Sequence, residues 1–188
     1  MSRRQESFQE QIERFYKKEL QKYEQVRVGN TPDYLINFGA GKLPVFLNQS
    51  TIGKIVREPR GQRSAHAMAR DIVEKMPQIL SEPALLIIND APHRIALLSE
   101  KCNQYGCPLL MALELKEKGY NKITSFYGRE NCKVYLERQE NVTIIDMEKA
   151  KQLSRLLGLQ LPMAWKALDY SKTILDPNPP VKNENQNL

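Results

Sequence analysis

The sequence predicts an α+β fold, with N-terminal helices packed on a four-stranded antiparallel meander sheet and flanking C-terminal helices. Three observations predict it. Up to about residue 80, apolar residues recur mainly at threes and fours, the helical period. From Ala84 to Gly128 they gather in runs and alternations of strand length, separated by short turns. After Glu130 the helical period returns around one short strand. Helices first and strands second is the α+β order.

Residues 3–27 read as one long amphipathic helix, with Phe8, Ile12, Phe15, Tyr16, Leu20, Tyr23 and Val26 on its stripe and Gly29-Asn30 at its end. Residues 1–29 are thus an N-terminal helical segment that docks on its own domain. Thr31-Pro32-Asp33 resembles a helix cap with proline at the first helical position, opening a short helix through Phe38. Pro44–Leu47 is extended, and Asn48 to Thr51 caps a helix with Ile52 and Ile55 inward. A polar loop carrying Arg57, Arg60 and Arg63 leads to Ser64, the cap of a helix with the inner stripe Met68, Ile72, Val73 and Met76, kinked or restarted at Pro77.

ALLIIN (84–89) is a buried strand, followed by Arg94–Ser99, Leu109–Leu115 and the stretch YNKITSFYGREN. A helix over Glu130–Gln139, a strand over 142–146 and a helix from Met147 to Leu157, closed by Gly158, complete the domain. The domain spans 30–168, and 169–188 is a C-terminal segment, too polar to fold alone from about residue 178.

Composition narrows the function. With 28 Lys and Arg against 22 Asp and Glu, the chain carries +6 and a pI near 9.2, which permits a polyanionic partner without requiring one. Between residues 54 and 75 stand six basic residues and three acidic ones, so half the excess lies in 22 residues. Three cysteines (Cys102, Cys107, Cys132), without a secretory opening, fit reduced thiols in the cytoplasm. No apolar run is long enough to span a bilayer, so no membrane partner is expected. The zinc-protease, serine-hydrolase, phosphate-loop and dinucleotide motifs are missing, and acidic pairs suited to metal are scarce. No metal site and no cofactor are expected.

The candidate chemistry sits at two places. His66 lies in the first turn of a helix behind the arginine-rich loop, where neighbouring positive charge favours a neutral imidazole able to act as a base. A surface histidine with a structural or idle role is the plainer account. In YNKITSFYGREN, period-two alternation puts Ile123, Ser125 and Tyr127 on one face, with Gly128 providing a left-handed exit and Arg129 following it. A hydroxyl, a phenol and a guanidinium at one sheet edge suit a phosphate. The competing account is a polar-faced strand with an ordinary turn.

FGAGKLPVFLNQSTIGKI, His66 followed 17 residues later by the Pro83 of MPQILSEP, YNKITSFYGREN and LLGLQLP together resemble the C-terminal domain attached to phage MuF-type head proteins, over about residues 30–165. That family is similar to the barnase, EndoU, colicin and RelE group of metal-independent ribonucleases. The resemblance implies a helical layer on a four-stranded sheet, with His66, Ser125 and Tyr127 catalytic. It carries a helix-start motif onto Gln49, Ser50, Thr51 and Lys54, and a strand-end motif onto Ser125, Tyr127, Gly128 and Arg129.

The implied activity is that of a phage or mobile-element toxin cleaving RNA through 2′-hydroxyl attack to a cyclic phosphate. Thr51, Lys54, Arg57, Arg60, Arg63 and Arg129 would hold phosphate or RNA. RNA is the implied partner, with an immunity or phage head-associated protein as a second, in the cytoplasm or delivered with a phage particle. A catalytically inactive phage-derived binding module, an adaptor or inhibitor that keeps the fold, is the alternative.

Overall fold

The computed structural model describes residues 5–57, 68–88, 91 and 93–168. The elements in chain order are α1 (Phe8–Tyr16), β1 (Gln25–Asn30), α2 (Asp33–Ile36), β2 (Pro44–Asn48), α3 (Gln49–Ile55), α4 (Arg70–Val73), α5 (Met76–Ser81), β3 (Leu85–Ile88), β4 (Arg94–Cys102), β5 (Pro108–Glu114), β6 (Asn121–Gly128), α6 (Cys132–Glu137), β7 (Val142–Ile144), α7 (Met147–Leu157) and β8 (Lys166–Ala167). All eight strands form one sheet in the order β1-β2-β6-β5-β4-β3-β7-β8.

The α+β class stands, but the four-stranded, barnase-like arrangement is corrected. β3, β4, β5 and β6 are antiparallel neighbours within a larger mixed sheet. β2 joins β6 in parallel and β1 lies antiparallel outside β2. β7 and β8 extend the other end.

The N-terminal helix is also corrected. α1 has nine residues, opened by a capping box: the Glu10 N–H donates to Ser7 Oγ (3.2 Å), and the Ser7 N–H donates to the Glu10 carboxylate (2.7 Å). The backbone turns left-handed at Lys18 and Tyr23 (φ 60° and 69°), which stops the helix. Arg14 closes this turn with two bonds, 2.8 and 3.1 Å, to the Glu24 carboxylate. Val26 and Val28 are buried at strand spacing, alternating with half-buried Gln25, Arg27 and Gly29. Val26 fits the helical count by coincidence, and two β-branched residues at i and i+2 carry the stretch into the sheet.

Gln11, buried on α1, ties that helix to the outer strand. Its amide oxygen accepts the Arg27 N–H (2.8 Å) and its amide nitrogen donates to the Arg27 carbonyl (3.4 Å).

Thr31 is no helix cap. Its hydroxyl donates to the Leu43 carbonyl (2.6 Å) and accepts from Asn121 Nδ2 (2.7 Å). Asn121 is fully buried; its oxygen accepts the Lys116 N–H (2.7 Å) and its nitrogen also reaches the Gly41 carbonyl (3.4 Å). One side chain thus links the loop before β2 to the turn between β5 and β6, where the parallel joint forms.

The sheet is covered on both faces. On the first, Phe8, Ile12, Ile52, Ile55, Met76 and Ile79 pack over Val26, Leu47, Leu97, Met111, Ile123 and Phe126. Met68, Ile72 and Val73 join that cluster, so the apolar stripe enters the core, but Met68 precedes α4 and the rest divides between α4 and α5 instead of one helix. Pro77 stands in the first turn of α5, where a missing N–H costs nothing. On the second face, Cys132, Leu136, Ala150 and Leu153 cover Ala96, Leu98 and Leu110. α7 starts at Asp146, whose carboxylate accepts the Lys149 N–H (3.0 Å), and ends at left-handed Gly158 (φ 61°). The C-terminal segment 169–188 lies outside the described residues.

Replacing Asn121 with alanine strands the Lys116 N–H and removes the donor to Thr31. Urea denaturation of Asn121→Ala should show a loss of about 1–3 kcal/mol.

Candidate functional site

α3 leaves β2 without a loop, and Thr51, Ile52 and Ile55 turn inward while Lys54 stays exposed. The Met68 N–H donates to the Ile55 carbonyl (2.9 Å), so the chain leaving α3 returns to the end of the same helix. Arg57 is exposed at the departure point. Arg60, Arg63 and His66 lie on residues 58–67, outside the described residues. The basic cluster divides by its partners. Arg70 is bonded to Glu13 and Glu74 and lies 5.2 Å over the Tyr16 ring, and Lys75 pairs with Asp71 at 3.5 Å. Lys54 and Arg57 have no carboxylate partner among the described residues. Gln49 serves the fold, donating to the Glu24 carbonyl (3.2 Å).

β6 is arranged differently from its sequence pattern. The register against β5 shifts between Ala112 and Leu113, where Ser125 faces Ala112 but Ile123 faces Leu113. Thr124 is the extra residue, and its hydroxyl donates to the Ala112 carbonyl (3.2 Å). A one-residue bulge reverses side-chain parity beyond it. Ile123 and Phe126 therefore both enter the first cluster, whereas Tyr127, opposite Leu110, packs on the second. Ser125 and Tyr127 share a face, but Ile123 does not share it with them.

Ser125 and Tyr127 look toward the α6 side of the sheet, while Met68, two residues after His66, is buried on the opposite side. The structure brings Tyr127 together with Arg129 and Tyr135. The Arg129 guanidinium lies 4.3 Å over the Tyr135 ring, and its Nε is buried with no hydrogen-bond partner among the described residues. Burial pushes the Tyr135 phenol up, with a smaller push from Tyr127 and an opposing pull from Arg129. Tyr135 therefore stays protonated at neutral pH and can donate a hydrogen bond.

Gly128 serves another purpose than the sequence suggested. It is not left-handed; that conformation falls on Asn131 (φ 50°), the N-cap of α6. A Cβ on Gly128 would stand 2.6 Å from Asn103 Cγ and 3.0 Å from Cys107 Cβ. Asn103 is itself fixed, its side-chain oxygen accepting the N–H groups of Tyr105 (3.0 Å) and Cys107 (2.9 Å) in the β4–β5 turn.

A further surface escaped the sequence reading. The registers align Arg27, Phe46, Lys122, Glu114 and Arg94 across β1, β2, β6, β5 and β4. Their neighbours Val26, Leu47, Ile123, Leu113 and Ile95 all enter the first cluster, so this row faces the other way. Tyr120 stands beside it, edge-on to Phe46 at 5.5 Å, with Lys116 Nζ 5.8 Å from its ring centre. The signal was the alternation of Pro44–Asn48 and Asn121–Ile123, legible only once the two strands were known to pair. Among the described residues, no three His, Cys, Asp or Glu side chains gather as a metal site.

One mixed sheet with helices on both faces defines an α+β domain, with α3 and its exposed Lys54 on one face and a phenol–guanidinium cluster on the other. The chain belongs to the phage MuF C-terminal domain family, whose model matches residues 57–152. The match runs from the basic loop into α7 and leaves α1, β1, α2, β2 and α3 before it. No curated protein and no solved structure matches the chain. No helix among the described residues is long and apolar enough to cross a membrane.

Two outcomes follow from this packing. Gly128→Ala should cost about 1–3 kcal/mol in thermal unfolding, because the added methyl must displace the fixed Asn103. Burial pushes the Cys132 thiol up to about 12, so iodoacetamide at pH 8 should label Cys107 well before Cys132, as peptide mass spectrometry would read.

Proposed function

We propose that the chain is a phage-derived, metal-independent ribonuclease-type domain acting from the loop between α3 and α4. His66 moves the proton of the attacking 2′-hydroxyl, and Lys54, Arg57, Arg60 and Arg63 act as phosphate ligands. Attack of that hydroxyl on the adjacent phosphorus expels the 5′-oxygen and leaves a 2′,3′-cyclic phosphate.

The observation that carries the reading is the Met68–Ile55 clasp, which returns the His66-bearing segment to Lys54 and Arg57, two cations without carboxylate partners among the described residues. The family match beginning at Arg57 takes in that whole segment. This reading does not assign Ser125 and Tyr127 to the reacting centre, because they face the α6 side of the sheet while Met68, two residues after His66, is buried on the other. Arg129 and Tyr127 remain a separate anion-binding pair.

The placement of Ser125 and Tyr127 on the face opposite buried Met68 favours a second reading: a non-catalytic binding module, an adaptor or inhibitor that holds RNA or a phage protein through the same basic loop. Incubating the purified chain with RNA and chelator separates the two. The nuclease reading expects cyclic-phosphate ends, lost by at least about a hundredfold in His66→Ala and unchanged in Tyr127→Phe. Equal cleavage by wild type and His66→Ala, or none by either, removes it.

A further inference from the structure

We propose that the uncovered part of the second sheet face, centred on Phe46, Tyr120 and Lys122, is a stacking platform for single-stranded RNA. The choice of RNA over DNA rests on the RNA-directed reading above; the surface itself does not.

Helices α6 and α7 cover this face over Leu85, Ile87, Ala96, Leu98, Leu110 and Ile144, and none of the row from Arg27 to Arg94 belongs to that cluster. The row from Arg27 to Arg94 lies beyond them and crosses four interstrand spacings, roughly 19 Å. Open grooves of about 370 and 680 Å³ flank it, one lined by Arg27 and Phe46, the other by Arg94, Glu114 and Lys116.

Two half-buried aromatic rings stand at its centre, held edge-to-face, with the Tyr120 hydroxyl accepting from Gln25 Nε2 (2.9 Å). Cations flank them. Lys122 and Arg27 have no carboxylate partner among the described residues, and Arg27 Nε is buried without a hydrogen bond there. Rings that accept bases, alternating with cations that accept phosphates, are what an unpaired strand requires. A duplex keeps its bases stacked on one another and offers these rings nothing.

Glu114 is the one carboxylate in the row and would accept a hydrogen bond from a sugar hydroxyl or base amino group. A protein partner is less well matched, since no large apolar side chain in the row is strongly exposed. The platform draws Arg27 and Phe46 from strands that precede the family match and Lys122 from inside it. The N-terminal hairpin thereby completes a surface that the matched part begins.

The test is fluorescence anisotropy with labelled oligouridine and oligoadenosine, using the full chain carrying His66→Ala so that no substrate is cut. Phe46→Leu keeps the apolar bulk without the ring, and Lys122→Glu reverses one charge; circular dichroism verifies that both variants fold. Each should weaken binding by about tenfold, and Lys122→Glu should also flatten the salt dependence. Wild-type-like binding by both variants overturns the platform, as does an absence of binding to any single strand. Equal competition by duplex RNA removes the stacking argument, and equal affinity for the matching DNA removes the choice of RNA.

The two readings fail separately. Platform-dependent binding without any cleavage sinks the nuclease and leaves the platform. Cleavage that depends on His66 beside normal binding by both variants does the reverse.

Discussion

A fully buried asparagine at the parallel joint holds this fold in one piece. Asn121 begins β6 beside Val45 of β2, where two strands far apart in sequence must meet in register. Its amide answers the Lys116 N–H from the turn before it and bonds Thr31 and the Gly41 carbonyl from the opposite hairpin. A buried amide is costly unless its partners are present, and these partners are present in one pairing only. A slip by one residue would turn the asparagine out to the other face and bring a lysine into the core. The polar network thus specifies the joint, while the apolar clusters supply most of its stability.

That joint also explains where the sequence was legible. Local signals were sound: the stripe of Met68, Ile72, Val73 and Met76 entered the core, and the Asp146 cap and Gly158 bound α7. Failures came where a distant contact decided the outcome. Val26 satisfied both a helical and an alternating pattern, and only the presence of β2 alongside favours the strand. Thr31 carried every mark of a helix cap, yet its hydroxyl is spent on Leu43 and Asn121. Gly128 looked like a conformational requirement and is a spatial one, imposed by Asn103 from another hairpin.

The candidate site followed the same rule. Residue types were legible and sidedness was not, because a single extra residue at Thr124 reverses the parity that sequence counting assumes. Ser125 and Tyr127 therefore belong with Arg129 and Tyr135 on the α6 side, and Ile55 and Met68, on either side of the basic loop in sequence, are buried across the sheet. The domain presents two separate polar surfaces.

Gln11 has a consequence for how the molecule behaves among its own copies. β1 is the terminal strand of the sheet, and its outward N–H and C=O at Arg27 are the groups through which another chain would add as a ninth strand. The Gln11 amide occupies both, imitating one residue of a neighbouring strand and then ending, because it belongs to a helix. At the far end β8 is only two residues long, too short a template to hold a partner. A wide, largely apolar sheet is in this way kept from polymerising edge to edge, by one side chain at one border and by brevity at the other.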